Sequence, residues 1–447
     1  MEKSKVYFCD MHATPEEPLP FKLKRLITTA GMGEIDFKDK YVAVKIHFGE
    51  PGNLAYLRPN YAKVVCDFIK ERGGKPFVTD CNTLYVGGRK NGLDHLDSAY
   101  ANGYNPFATG VHTIIADGIK GLNEVLVPVE GGEYVKEAKI GEAIMEADIV
   151  ISVNHFKGHE MTGFGGAIKN LGMGCGSRAG KMEMHNAGKP YIFEDECIGC
   201  GKCVKICAHD APIITNKTAR IDHDKCVGCG RCIAICPKDA VSVNWDESAD
   251  ILNCKIAEYA KAVIWNRPSF HINFIIDVSP FCDCHAENDV PIIPDVGMLA
   301  SFDPIAIDTA CAHLANEMPP MPGSLAFVKP PHHHHGEGCG HGEGHGEGCG
   351  HGECGHGEHK HGENCGCGGD HGEHKHGECG CGGHGEHNGH GHGECGHHGH
   401  HPHHGHHPHP NHDHFKHVSP GTNWVSAMNH GEKLGIGTKE YELIKLK

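Results

Sequence analysis

The chain has no run of about eighteen apolar residues, the length a membrane-crossing helix needs, and it opens on MEKSKVYFCDMH without an apolar signal core. It has no basic helix and no basic stripe interleaved with aromatics. The net charge is -16, so nucleic acid is excluded as a partner and no membrane span is expected. Neither GxxxxGK[ST] nor GxGxxG occurs, which removes the usual loops that cradle nucleotide phosphates. What remains is a cytoplasmic reading, in which the 24 cysteines are metal ligands rather than disulfides.

Eight of those cysteines form a ladder. CIGCGKCVKIC and CVGCGRCIAICP place them at Cys197, Cys200, Cys203 and Cys207, and at Cys226, Cys229, Cys232 and Cys236. This is C-x2-C-x2-C-x3-C written twice, the spacing of a bacterial-type two-cluster ferredoxin. Three thiolates of one tight loop grip one cubane, and the fourth cysteine reaches the other. One [4Fe-4S] cluster would take Cys197, Cys200, Cys203 and Cys236, and the second Cys226, Cys229, Cys232 and Cys207. Gly199, Gly201, Gly228 and Gly230 suit the tight turns between ligands. Zinc is the alternative, but it favours longer separations between ligand pairs.

On either side, short apolar runs alternate with amphipathic ones. Strands are expected at Val6–Phe8, Tyr41–Phe48, Pro76–Asp80, Val111–Ala116, Glu124–Val129, Asp148–Val153 and Phe270–Val278. Helices are expected at Tyr61–Arg72, Leu93–Ala101, Ile140–Glu146, Ala167–Leu171, Ile251–Trp265 and Asp303–Asn316, the last with Asp303 as N-cap and Pro304 in the first turn. The alternation predicts an α/β fold, a mostly parallel sheet with helices on both faces. Gly172–Gly176, with Arg178, Lys181 and His185, reads as a flexible link to the cysteine ladder.

From Pro330 to about His417 the chain is His, Gly, Glu and Cys in HGE-like repeats, holding 29 of the 42 histidines. With almost no apolar residue besides Cys, disorder is expected. His332, His333, His334, His335 and the His/Cys residues after them suit Ni2+ or Zn2+. The domain reading is therefore 1–190 and 247–330 as two parts of an α/β domain, 191–246 as the inserted cluster module, 331–417 as a metal-binding segment, and 418–447 returning to the α/β domain.

VKIHFGEPGN at 44–53, HFKGHEMTGFGGAIKNLGMG at 155–174 and VSPFCDCH…PDVGMLASFDPIAID at 278–308, with DHFKHVSP at 413–420 and a Trp-x9-LG-x-G run ending at Gly437, resemble the iron–sulfur centre proteins of domain-of-unknown-function family 362. The resemblance covers nearly the whole chain apart from the His-rich stretch. It implies an α/β domain carrying an inserted two-cluster ferredoxin module, and it supplies no substrate.

Two further constellations could carry chemistry. Lys45, His47, Lys157, His159 and Lys169 follow strand ends or a glycine-rich helix start and could form a cationic pocket for a carboxylate or phosphate compound. Arg58 lies close in sequence. Cys282, Cys284 and His285 could hold a third metal, with Cys81 as a weaker candidate ligand. The functional expectation is an iron–sulfur redox protein passing single electrons between an external redox partner and a small anionic ligand on the α/β domain. The alternative is a nickel- or zinc-handling accessory protein.

Overall fold

The computed structural model describes residues 3–84, 87–185, 189–243, 247–327 and 412–446. His332, His333, His334, His335 and the rest of the His-rich stretch up to 411 lie outside the described residues.

The α/β expectation holds. Eight strands form one sheet: β1 Ser4–Asp10, β2 Tyr41–Lys45, β3 Lys75–Asp80, β4 Thr113–Ile115, β5 Ile149–His155, β6 Ser269–Ile275, β7 Gly297–Ser301 and β8 Tyr441–Lys445. Their order is β8-β1-β7-β6-β5-β2-β3-β4. Every neighbouring pair is parallel except the two made by β7, which runs antiparallel to β1 and β6.

Strand periodicity divides the core in two. Val42 and Val44 of β2 face one apolar layer with Ile149, Ile151 and Val153 of β5, while Ala43 and Val150 face the other. Helices α1 Leu19–Thr29 and α2 Pro59–Lys70 cover the first face through Leu23, Leu26, Val65 and Phe68. Helices α3 Ala167–Cys175, α5 Ala249–Ile264, α6 Pro304–Asn316 and α7 Trp424–Lys433 cover the second. All seven residues of β5 are buried, as befits a central parallel strand.

Asp303 caps α6, accepting from the amides of Ile305 and Ala306 at 2.9 Å each. The expected strand from Tyr41 stops at Lys45, because the next residues turn into a loop that builds the site. The helix expected from Ile140 begins at Glu142; Ile140 instead lies in a strand, Glu137–Gly141, which pairs with Glu124–Pro128 in a separate hairpin. An alternating pattern and a short helix are hard to separate over five residues.

The flexible link is a correction. Residues 178–185 form helix α4, Arg178–His185, and Arg178 is fully buried, donating to the carbonyls of Thr83 (3.2 Å) and Lys120 (3.3 Å) and to that of Lys90. A guanidinium held by three carbonyls fixes the segment in place.

Between Pro190 and Val243 the chain makes two small two-stranded antiparallel sheets and two short helices. Pro190–Ile192 pairs with Val241–Val243, and Pro212–Thr215 with Thr218–Ile221. The helices Lys202–Ile206 and Arg231–Ile235 each follow a glycine in the left-handed region, Gly201 at φ 73° and Gly230 at φ 67°.

The last described stretch is pinned to the sheet domain. β8 adds to β1 in parallel, and His430 of α7 bonds Glu258 of α5 at 2.8 Å. Glu258 also accepts from the amides of Glu133 (2.6 Å) and Val135 (2.6 Å). Hydrogen bonds to Cys254 and Glu258 raise the His430 pKa to about 9. A raised histidine contributes stability that is complete below its unfolded value and is lost as pH rises through the folded one. His430→Ala should therefore cost about 1 kcal/mol at pH 6. Denaturant midpoints of variant and wild type should converge as pH passes about 9.

Candidate functional site

The strand order reverses between β2 and β5, with β3 and β4 extending one way and β6 the other. Such a switch point opens a crevice beyond the carboxyl ends of the strands. Here it is a partly open cavity. Its walls include His47 after β2; Asp80, Cys81 and Arg89 at and after β3; His155 and Lys157 at and after β5; Lys169 and Asn170 on α3; Lys181 on α4; and Cys284.

Each cation has an internal partner. Lys45 is fully buried, 3.0 Å from Asp80 and 2.6 Å from the Asn170 side-chain oxygen. Burial works to raise the Asp80 carboxyl, but Lys45, His47, His95 and Arg89 together hold it below the ordinary range. Lys157 lies 3.4 Å from Asp283, whose carboxylate also meets His155 Nδ1 at 2.9 Å. His155 Nε2 faces the Ile276 carbonyl at 2.8 Å, so both ring nitrogens point at oxygen acceptors. Burial pushes the Asp283 carboxyl up, and His155 and Lys157 overcome it. Arg89 donates to Glu50 at 2.7 Å and approaches His47 Nε2 at 2.9 Å, while the Gly49 amide donates to His47 Nδ1 at 3.0 Å. Burial and the Arg89 charge lower the His47 pKa well below its ordinary value. Arg89 Nη2 is buried with no partner among the described residues.

Of the expected cationic set, His47, Lys157 and Lys169 therefore share the cavity, with Lys45 beneath it. Arg58 is away from it, exposed beside Asp277. His159 belongs to a different group: it lies with Cys282 and Cys284, all buried or half-buried, with one donor atom from each within 4.8 Å of the others. His285, the neighbour in sequence, turns instead to Glu160 at 2.9 Å. Lys169 Nζ is 3.3 Å from Cys282 Sγ. A hydrogen bond from Cys284, with Lys169, Lys157 and His159, draws the Cys282 pKa well down, against burial. Cys81 bonds the Cys175 carbonyl at 3.3 Å, and burial raises its pKa well above that of an ordinary thiol.

Arg89 and Asp283 carry much of this site and neither stands out in sequence. Arg89 hides in a glycine-rich turn, and Asp283 between two cysteines.

The cysteine ladder makes two smaller cavities. One is walled by Cys197, Cys200, Cys203 and Cys236. The other is walled by Cys226, Cys229, Cys232 and Cys207. Each takes three cysteines from one loop and the fourth from the other. The remaining lining is apolar for the most part, with Ile192 and Val241 in the first and Pro212 and Ile221 in the second. Main-chain amides already point at sulfur: Ala219 to Cys197 at 3.3 Å and His209 to Cys207 at 3.4 Å. Four thiolates around an apolar hollow, with N–H groups aimed at sulfur, is a donor set that fits a cubane cluster.

Helix α4 stands between the two regions. Met182 packs with Cys203 and Cys232, and Lys181 lines the large cavity. A Cβ on Gly230 would meet Arg178 Cδ at 2.7 Å, so the second cysteine loop lies directly on this helix.

Comparison with known proteins adds the following. The family model described as "Domain of unknown function (DUF362)" matches residues 42–313. A thylakoid-associated protein of Synechocystis sp. is 28% identical over 131 residues, 28% of this chain and 35% of that protein, so the chain spans about a third of that relative. The lactate racemase apoprotein of Thermoanaerobacterium thermosaccharolyticum aligns at TM-score 0.32 and 11% identity over 60% of this chain and 50% of that one. A Thermotoga maritima protein aligns at 0.35 and 15% over 66% and 58%. The chain thus spans 50% and 58% of these two structures. Among the described residues no helix is long and apolar enough to cross a membrane.

Removing Asp283 would leave the buried Lys157 ammonium without its carboxylate and His155 Nδ1 without its oxygen partner. Asp283→Ala should destabilise the chain by about 3–5 kcal/mol at pH 7, read from urea midpoints. Because the carboxyl is held below its ordinary value, its contribution is present above the unfolded pKa and lost as pH falls. The gap between variant and wild type should therefore start to narrow only below about pH 4 and persist until the native carboxyl itself takes up its proton.

Proposed function

Because the chain belongs to the DUF362 family, whose name assigns no reaction, we propose from its own residues that it is an iron–sulfur redox protein acting on a small anionic compound. Cys197, Cys200, Cys203 and Cys236 would hold one [4Fe-4S] cluster, and Cys226, Cys229, Cys232 and Cys207 the other. When bound, the clusters supply one-electron storage and transfer. The observation that carries the reading is the crossed lining of the two hollows, three cysteines from one loop and one from the other in each. With four cysteines at each cluster no iron is left open, so substrate belongs elsewhere.

The large cavity is the supported place for it. His47, Arg89, Lys157, Lys169 and Lys181 line it against one carboxylate, Asp80. The unpartnered Arg89 Nη2 is the donor that most needs an acceptor. The residues of α4 would set the separation between cluster and anion, through Met182 on one side and Lys181 on the other. A second role, holding Ni2+ or Zn2+ on His332–His335 and the His/Cys residues that follow, is supported by composition.

Two measurements test the reading. Anaerobically purified protein should contain about eight irons and eight labile sulfides per chain, with two interacting reduced clusters by electron paramagnetic resonance. Cys207→Ser should perturb the cluster of Cys226, Cys229 and Cys232, not that of its own loop. Zinc without labile sulfide defeats the cluster reading. Separately, millimolar phosphate or malonate should raise the melting temperature, and Lys169→Gln should weaken that effect about tenfold. No stabilisation by either anion would remove the anion site and leave the clusters standing.

A further inference from the structure

We propose that Cys282 and Cys284 bind a single thiophilic metal ion at the wall of the large cavity. In this arrangement His159 and Lys169 donate hydrogen bonds to sulfur, and the side facing the cavity stays open to an anionic oxygen donor.

The geometry allows one ion to bridge the two thiols. Metal–sulfur bonds run about 2.3 Å, so two sulfurs on one ion lie within about 4.6 Å of each other. The two Sγ atoms and a His159 nitrogen lie within 4.8 Å of one another, and among the described residues no other three His, Cys, Asp or Glu donors come so close. The turn that carries the thiols is braced. The Glu50 amide donates to the Asp283 carbonyl at 2.9 Å, and the His285 amide to the Cys282 carbonyl at 3.0 Å. The strand bearing His159 is clamped against it, the Gly158 amide donating to the Ser279 carbonyl at 2.8 Å. A Cβ on Gly158 would come within 2.5 Å of the Pro280 carbonyl oxygen. The spacing between His159 and the thiols is therefore set by backbone packing.

The histidine's own hydrogen bonds decide its role. His159 Nδ1 accepts the amides of Met161 (3.1 Å) and Thr162 (3.2 Å). The ring hydrogen then sits on Nε2, and a nitrogen carrying hydrogen cannot ligate a metal. His159 is placed to donate to sulfur instead, and Lys169 Nζ lies 3.3 Å from Cys282 Sγ. Two N–H donors offset the negative charge of a buried dithiolate, as outer partners do in thiolate metal sites. Two thiolates leave coordination positions vacant. Cys284 lines the cavity with Lys157 and Arg89, so an incoming carboxylate or phosphate oxygen would meet the metal and these cations together. Thiolate pairs select zinc and copper(I) over hard cations.

The test is protection from alkylation, read peptide by peptide in the full chain, so that the other cysteines do not contribute. Anaerobic protein in buffers of fixed free Zn2+ is treated with N-ethylmaleimide, digested, and the peptide bearing Cys282 and Cys284 is quantified. Zinc should slow labelling of Cys284 about tenfold or more. Cys282→Ser should abolish that protection, and His159→Gln should retain it. Cys284→Ser, read at Cys282, gives the same test from the other sulfur. The proposal is overturned if zinc leaves the Cys284 rate unchanged in the unmutated chain, or if Cys282→Ser is protected equally. Loss of protection in His159→Gln as complete as in Cys282→Ser would make the histidine a ligand and overturn the two-thiolate assignment. None of these outcomes depends on whether clusters are present.

Discussion

A carboxylate stays ionised inside a protein only where cations or hydrogen-bond donors meet it, and two buried carboxylates dictate how the carboxyl edge of this sheet is furnished. Asp80 ends β3 with Lys45 at 3.0 Å and Arg89 at 3.7 Å. Asp283 sits between His155 and Lys157. Removing either acid would leave a surplus of buried positive charge, and removing the cations would neutralise the acids. The cavity is thus a balanced lattice before any ligand enters. Much of what reads in sequence as a basic pocket is committed to internal pairing, and the spare donor capacity is concentrated on Arg89.

The same requirement governs the sulfur centres. Cys282 is buried, yet a hydrogen bond from Cys284 and the nearby ammonium groups of Lys169 and Lys157 hold its pKa down. In the cysteine ladder the compensation is weaker and local. Main-chain amides point at Cys197 and Cys207, and burial raises the thiols of Cys203, Cys226 and Cys232. Thiols pushed up in this way stay protonated in water and release the proton to solvent only when a metal binds the sulfur. One environment stabilises a charge already there, and the other waits for metal to supply it.

How much of this was legible in the sequence depended on range. The α/β sheet followed from local patterns, because a seven-residue strand such as Ile149–His155 and a thirteen-residue helix capped by Asp303 carry their own signals. The crossed grouping of the ladder cysteines was expected from the two-cluster ferredoxin spacing, and the linings of the two hollows follow the same grouping. What did not show was pairing over long separations. Glu50 with Arg89, His155 with Asp283 and His159 with Cys282 are set by the topology that brings the ends of β2, β3, β5 and β6 together. Sequence adjacency misled at His285, where a side chain next to the thiols turns to Glu160 while one from residue 159 takes its place. It misled again at residues 172–185, where four glycines suggested a hinge. Those glycines allow close contact instead: a Cβ on Gly172 would lie 2.1 Å from the Ile256 carbonyl oxygen, and one on Gly180 2.5 Å from that of Lys139.

That close packing matters for the proposed chemistry. Electron exchange between a cluster and a bound compound falls away with distance, so it asks for a fixed and short separation more than for any particular side chain. Helix α4 meets that demand by burial. Arg178 is locked to the carbonyls of Thr83, Lys90 and Lys120, Met182 rests on the cysteine loops, and Lys181 is tied to the Gly176 carbonyl at 2.6 Å where it lines the cavity. A carrier that only relayed electrons to an outside partner would gain nothing from welding its cysteine loops to a charged crevice. The welding makes sense if what sits in the crevice is the reason the loops are there.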